Sequence, residues 1–341
     1  MYSDADLEAA VTAGVLTAPT AAAFRAFVAR QQEAPGADEE HFRLLTGFND
    51  VFVAIAGTLC LVALAWMGSR LHFGVGGALV AAASWGMAEY FTRRRRMALP
   101  SILLLLSFVG GVYGGLLGLL TALPRHGAMA ESQWALLASV CAVGAALAAY
   151  AHWRRFMVPI TVAAGAAAAA GAVWLLFLGF LPDFVGLRLG VLFLGGVGMF
   201  ALAMWWDMSD RARITRRADI AFWLHLAAAP LIVHPMFGQL GLLGGGTPGI
   251  GAAVVAVLLY LVLAVVALVV DRRALLVSAL AYVLYAITVL LRGSGSVGVA
   301  LAPAALVIGC GLLLLSALWH RARRRVVLAL PPAVQARVPP V

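Results

Sequence analysis

The chain has 341 residues, of which 63% are apolar and only 11% are charged. Soluble domains usually carry about 45–50% apolar and about 25% charged residues. A surplus this large excludes a single water-soluble globule and indicates a protein embedded in lipid. The formal charge of +9 comes from arginine alone, since the sequence contains no lysine. The arginines stand in short clusters between apolar runs, a pattern typical of membrane loops that argues against nucleic acid as a partner.

The first 47 residues differ from the rest of the chain, because they are polar and acidic at their start. They lack the basic start and short apolar stretch of a cleavable signal peptide. Ser3 can cap a first helix, for which Gly14 is a suitable left-handed stop, and Thr17 can cap a second helix. A third helix is expected from about Asp38 towards the membrane. Residues 1–47 therefore predict a small helical head in the cytosol.

Long apolar runs follow the head, each able to cross about 30 Å of hydrocarbon at about 1.5 Å per residue. They predict an all-α, polytopic bundle of about ten transmembrane helices within residues 48–320. A basic cytosolic tail is predicted over residues 321–341. The predicted spans are roughly 49–68, 73–92, 98–122, 132–151, 157–180, 185–205, 218–237, 251–270, 274–292 and 297–319.

The orientation of the bundle follows from its arginines, because positively charged loops resist translocation. With the head inside, the cytoplasmic connections hold most arginines, including residues 93–96, Arg154, Arg155, Arg216, Arg217, Arg272 and Arg273. Only Arg70, Arg125, Arg188 and Arg292 fall on the outer side. Both termini are therefore expected in the cytoplasm. The lysine-free, Ala-, Leu-, Gly- and Arg-rich composition indicates a GC-rich bacterial genome, so the membrane is expected to be a bacterial inner membrane, with the lipid bilayer as the main partner.

Basic pairs recur at the start of several spans. Residues 95–100, Arg-Arg-Met-Ala-Leu-Pro, are similar to residues 154–159, Arg-Arg-Phe-Met-Val-Pro. The pattern predicts a chain of helical hairpins that re-enter the membrane from the cytoplasm. Internal duplication and a purely topological demand for positive charge both explain it.

Ionisable side chains inside a bilayer are costly, so each is a candidate functional residue. Five carboxylates lie near the predicted cytoplasmic ends of their spans, where ion pairing at the interface is the alternative explanation: Asp50, Glu89, Asp207, Asp219 and Asp271. Glu89 is predicted to be the deepest carboxylate. It is a candidate for a proton- or cation-coupled site together with Asp50 or Asp219.

His225 and His234 share one predicted helix and are nine residues apart. At about 100° per residue this spacing places them on opposite faces, so they are not paired ligands. Hydrogen-bonded histidines inside the bundle are the simpler interpretation. Cys60, Cys141 and Cys310 fall in separate apolar runs and form neither a disulfide framework nor a zinc motif. The sequence therefore predicts no metal site and no cofactor.

The head carries a short signature over residues 6–11, 13–17 and 21–27. It resembles the opening of a bacterial membrane-protein family called domain of unknown function 2157. In that family an acidic helix, a glycine, two apolar residues and a threonine precede a polytopic membrane region. The resemblance implies a polytopic membrane protein, and it implies no substrate, cofactor or catalytic residue.

Three functions remain open at this point. The first is a transporter, or a protein that handles lipids or small molecules, because the spans are rich in small residues and carry a few polar residues near their ends. The second is a scaffold or sensor that binds a protein partner through its cytosolic head. The third is a membrane-embedded enzyme that uses His225, His234 or Glu89 as acid–base groups. The sequence contains no Gly-x-Ser-x-Gly, His-Glu-x-x-His or Walker motif, which disfavours the enzyme.

Overall fold

The structure is a computed structural model that describes residues 7, 10–24, 48–123, 128–211, 213, 215–241, 250–276, 280, 283–284 and 297–340. The chain divides into two compact units, Met1–Arg43 and Leu44–Val341. Throughout the described residues the chain is helical or lies in turns between helices, and these residues contain no strand.

The first unit is described over one helix–turn–helix region. Helical residues at 10–12 and 18–24 flank a turn in which Gly14 has a φ of +69°. Glycine adopts this left-handed conformation without a steric cost. The Thr17 hydroxyl accepts a hydrogen bond from the Thr20 N–H at 3.3 Å, which caps the second helix. The stop at Gly14 and the cap at Thr17 are therefore confirmed, whereas Ser3 and the predicted third helix from Asp38 lie outside the described residues.

The second unit is a series of helices joined by short connections. In chain order they are α1 (Phe48–Leu71), α2 (Phe73–Ala88) continued by a π-helix (Glu89–Arg94), α3 (Ala98–Thr121), α4 (Glu131–Phe156), α5 (Ile160–Phe180), α6 (Val185–Met208), α7 (Arg216–Gln239), α8 (Ile250–Val270), α9 (Val297–Ala317), α10 (Trp319–Leu328) and α11 (Pro332–Gln335).

Among the described residues, six helices are long and apolar enough to cross a membrane: α1, α3, α4, α5, α6 and α7. These helices indicate a membrane-embedded protein. Six of the roughly ten predicted spans therefore have a helix that is long and apolar enough to cross a membrane, and the total of about ten is not confirmed. The apolar α2 has 16 residues before the π-helix begins, and α8 and α9 are apolar helices of 21 residues each. Most of the predicted span 274–292 lies outside the described residues.

The helices pack chiefly as antiparallel hairpins, and the closest packing lies within α2–α3, α4–α5 and α6–α7. The basic connections after α2, α4, α6 and α8 each contain a non-glycine residue with positive φ. These residues are Arg96 (53°), Met157 (55°), Arg213 (55°) and Asp271 (59°). A left-handed residue reverses the chain direction within a few residues. The recurring turn geometry therefore supports the hairpin pattern predicted from the basic pairs.

The interface between α2 and α3 is formed by glycine. A Cβ atom built on Gly77 would lie 2.3 Å from the Gly115 nitrogen, and one built on Gly118 would lie 2.2 Å from the Gly74 nitrogen. The two backbones are therefore in direct contact. Small residues allow such an approach, which provides packing energy where lipid offers no hydrophobic driving force between helices.

Gly77→Ala is expected to push α2 away from α3 and to destabilise the protein by about 1–3 kcal/mol, because the new methyl group meets backbone atoms that cannot rotate away. Gly110→Ala is the matched control, since a Cβ on Gly110 has no atom within 4 Å. The control should be neutral or stabilising by up to about 1 kcal/mol through helix propensity. Thermal unfolding of both variants in detergent measures the difference, and equal midpoints would contradict the glycine interface.

Candidate functional site

A buried ion pair joins Asp207 and Arg272, which are each 2% exposed. Asp207 lies in the last turn of α6, and Arg272 lies in the connection after α8. The Arg272 guanidinium donates through Nη2 to Asp207 Oδ1 and through Nε to Asp207 Oδ2 at 3.3 Å. Nη2 also donates to the Ala218 carbonyl in the first turn of α7 at 3.0 Å. This forked, charge-assisted contact ties three segments together at one end of the bundle.

His225 of α7 lies beside the ion pair and is fully buried. Its Nδ1 atom is 2.8 Å from the Ala221 carbonyl. A carbonyl oxygen only accepts, so Nδ1 carries the proton of the neutral ring. Nδ1 also lies 3.6 Å from Asp207 Oδ2, while Nε2 is buried and has no hydrogen-bond partner within the described part of the chain. Nε2 is therefore a proton acceptor without a hydrogen-bond donor among the described residues, on a ring whose other nitrogen lies near a buried carboxylate.

Asp271, next to Arg272 in the chain, is the centre of a second ion-pair group. Arg213 Nη1 donates to Asp271 Oδ2 at 3.0 Å, and Trp319 Nε1 donates to Asp271 Oδ1 at 2.7 Å. Arg323 Nε lies 3.5 Å from Oδ1 of the same carboxylate. Asp271 thus links the turn before α7 and helix α10 to the end of α8. We call Asp207, Arg272, His225, Asp271 and Arg213 the charge cluster.

The C-terminal residues fold back onto the charge cluster. Arg323 is buried and donates to the carbonyls of Pro339 at 2.7 Å and Pro340 at 3.0 Å. Arg211 donates to the Val338 carbonyl through Nη2 at 3.0 Å and through Nε at 3.1 Å. Two arginines that the sequence assigned to cytoplasmic loop and basic tail therefore hold backbone carbonyls instead of standing free in solvent.

Glu89, the predicted deepest carboxylate, lies at the start of the π-helix with 34% of its side chain exposed. Arg155 at the end of α4 donates to it from Nε at 2.7 Å and from Nη2 at 3.0 Å. Arg93 donates to it at 3.3 Å. Glu89 therefore forms the interfacial ion pairs that the sequence left as the alternative, and it joins the α2–α3 hairpin to α4.

The other sequence-predicted residues are dispersed. Asp50 is buried in the first turn of α1, and Asp219 is half-buried in the first turn of α7, within electrostatic reach of Arg272 and Arg216. His234 is exposed on α7, so it does not share a face with the buried His225. Of the predicted site residues, His225 is the one that enters the charge cluster directly.

A second buried histidine, His152 of α4, was not singled out from the sequence. Its ring packs among Trp85, Phe108 and Phe156, with ring centroids 6.1, 5.8 and 4.5 Å away. Nδ1 lies 3.3 Å from the Thr161 hydroxyl on α5. The ring is fully buried against these aromatic side chains, so we interpret His152 as a packing residue that joins α4 to its neighbours.

The part of the chain that the structure describes contains no group of three or more His, Cys, Asp or Glu side chains placed to hold a metal ion. Comparison with known proteins gives no match to any family model, curated protein or solved structure. The resemblance of the head to domain of unknown function 2157 therefore stays a prediction.

Asp207→Asn should destabilise the protein by about 3–5 kcal/mol, because it leaves the Arg272 guanidinium buried without a counter-charge. Asp183→Asn, in the exposed turn before α6, is the control and should change little. The double variant Asp207→Leu, Arg272→Met should recover much of the lost stability, since it removes both charges. Thermal unfolding in detergent tests this, and an Asp207→Asn midpoint equal to that of Asp183→Asn would contradict it.

Proposed function

We propose that the protein is a proton-coupled transporter of a small molecule or lipid in a bacterial inner membrane. In this proposal the chain has about ten spans, with both termini in the cytoplasm. The six apolar helices and the one-sided distribution of arginines support it. In this proposal the charge cluster is the proton-coupling site, and it lies near the cytoplasmic face.

The observation that carries the proposal is that Asp207 is within reach of one cation, Arg272, and of a histidine that becomes cationic when it binds a proton. Arg272 holds the carboxylate in the present arrangement, and His225 Nδ1 lies 3.6 Å from it. Removing charged groups from water costs several kcal/mol per ion, so buried ionisable groups in membrane proteins are functional candidates by default. The packing of α6 against α7 would not require these charges, because leucine or methionine would fill the same space.

Proton binding provides a route between two states of the cluster. A proton taken up at His225 Nε2 makes the ring an imidazolium, which competes with Arg272 for Asp207. Two unit charges about 4 Å apart interact by about 4 kcal/mol at an effective dielectric constant of 20. A bias of that size shifts a two-state equilibrium by about three orders of magnitude. Weakening the Arg272 contact would loosen the connection after α8 from α6 and from Ala218 of α7, while Arg213 still holds Asp271. A contact with two arrangements is the kind of bistable element that alternating access needs.

A second function, a scaffold or sensor that binds a protein partner through the cytosolic head, is favoured by one observation. The backbones of α2 and α3 touch at Gly77 and Gly115, so no substrate path runs between these two helices at that point. A scaffold would lose a co-purifying partner on deletion of residues 1–40 and would be indifferent to His225→Gln.

Proton movement into vesicles tests the transporter. The purified protein is reconstituted with a pH-sensitive dye inside, and the outside is made acidic. The wild-type protein should acidify the interior faster than empty vesicles, and His225→Gln should reduce the rate at least tenfold because it removes the proton acceptor. His234→Gln, an exposed histidine on the same helix, is the control and should retain the wild-type rate.

Two outcomes would overturn the proposal. One is a wild-type rate equal to that of empty vesicles. The other is equal loss in His225→Gln and His234→Gln, which would show that the buried position beside Asp207 has no special role.

A further inference from the structure

An apolar groove of about 230 Å³ lies between α1, the end of α2 with its π-helix, and the start of α3. Phe52, Gly57 and Cys60 line it from α1, Phe91 lines it from the π-helix, and Leu103 lines it from α3. Pockets for compact small molecules usually measure about 300–1,000 Å³. This groove suits a stretch of hydrocarbon chain better than a folded polar ligand.

A basic connection lies directly beside the groove in the chain. Residues 93–96 are four exposed arginines, and they are flanked by Phe91 and Pro100, which both line the groove. The left-handed backbone of Arg96, with a φ of 53°, turns the chain sharply between these two lining residues. The positive charge is therefore held close to the groove by the chain itself.

The four arginines differ in their contacts. Arg93 donates to Glu89 at 3.3 Å. Arg95 donates to the Tyr90 hydroxyl at 3.1 Å from Nη2 and 3.2 Å from Nε, and its guanidinium lies 5.6 Å from the centre of the tyrosine ring. Arg94 and Arg96 form no ion pair with an acidic side chain within the described residues. These two guanidinium groups remain available for an anion.

We propose that the groove and this connection together bind one anionic phospholipid from the adjacent leaflet. An acyl chain lies along Phe52, Gly57 and Leu103, and the headgroup phosphate lies between Arg94 and Arg96. Guanidinium groups match the geometry of phosphate oxygens, and basic pockets between membrane helices are suited to lipid headgroups. In the proposed topology this leaflet is the cytoplasmic one. The inference goes beyond the transport proposal and does not depend on it.

Lipid binding to the delipidated, detergent-purified protein tests the site. Native mass spectrometry follows titration with phosphatidylglycerol or with phosphatidylcholine that carries the same acyl chains. Wild-type protein should bind the anionic lipid about tenfold more tightly than the zwitterionic one, from the charge of two arginines near the headgroup. The double variant Arg94→Gln, Arg96→Gln should lose this preference. Arg324→Gln, Arg325→Gln, which changes two exposed arginines of α10, is the matched control and should retain it.

The hydrocarbon part is tested by filling the groove. A Cβ on Gly57 has no atom within 4 Å, so Gly57→Trp places a bulky ring in the groove without a backbone clash. It should weaken the binding of both lipids. Gly86→Trp, at a position of α2 with equally open surroundings, should leave binding unchanged.

Three results would overturn the proposal. The first is equal binding of the two lipids by wild-type protein. The second is equal loss in the Arg94 and Arg324 double variants, which would indicate a general surface charge. The third is unchanged binding in Gly57→Trp, since this result would leave the acyl chain without a role in the groove.

Discussion

The absence of water from the hydrocarbon core is the constraint on which the structure depends. Backbone N–H and C=O groups must be paired within each segment, so membrane-spanning segments are helical from end to end. The chain can reverse direction only at the membrane surface. The connections after α2, α4, α6 and α8 do so within a few residues, each through a left-handed residue, and they carry the arginines that hydrocarbon would reject.

The same constraint explains how the hairpins hold together. Lipid tails are as apolar as leucine, so helices gain little from burying apolar side chains against each other. The α2–α3 hairpin instead brings its backbones into contact at glycine positions. Between hairpins, ion pairs at the ends of the helices add to the apolar contacts. Arg155 at the end of α4 binds Glu89 of the α2–α3 hairpin, and Arg272 binds Asp207 at the end of α6.

The sequence was sufficient for the features that depend on local pattern. The predicted span 98–122 appears as Ala98–Thr121, and the predicted span 157–180 appears as Ile160–Phe180. The hairpin pattern was visible in the basic pairs because topology and charge are linked along the chain. The π-helix at Glu89–Arg94 could not be predicted from the sequence, since a π-helix has no simple sequence signature. An ordinary α-helix with about 3.6 residues per turn would fit the same residues almost equally well.

The site depends on contacts between residues that are far apart in the chain, and these the sequence did not reveal. Asp207 and Arg272 are 65 positions apart, and each lies beside other charged residues, so each was interpreted as an interfacial residue. Only the packing of α6, α7 and the connection after α8 brings them together away from solvent. For Glu89 the prediction of depth was the difficulty. Glu89 was predicted to be the deepest carboxylate, but it is partly exposed and forms ion pairs with Arg93 and Arg155. His225 was selected as an ionisable ring inside an apolar helix, and the structure buries it beside Asp207.

If the hairpins lie in hydrocarbon with their basic turns on one side, a reagent that cannot cross the membrane reaches those turns from that side alone. Labelling of single cysteines measures this. In a variant without Cys60, Cys141 and Cys310, cysteine is introduced at position 94, 216 or 183. Intact bacterial spheroplasts are then treated with a membrane-impermeant maleimide. Position 183 should be labelled rapidly, and positions 94 and 216 should be labelled only after the membrane is permeabilised. Labelling of positions 94 and 216 in intact spheroplasts would contradict this arrangement.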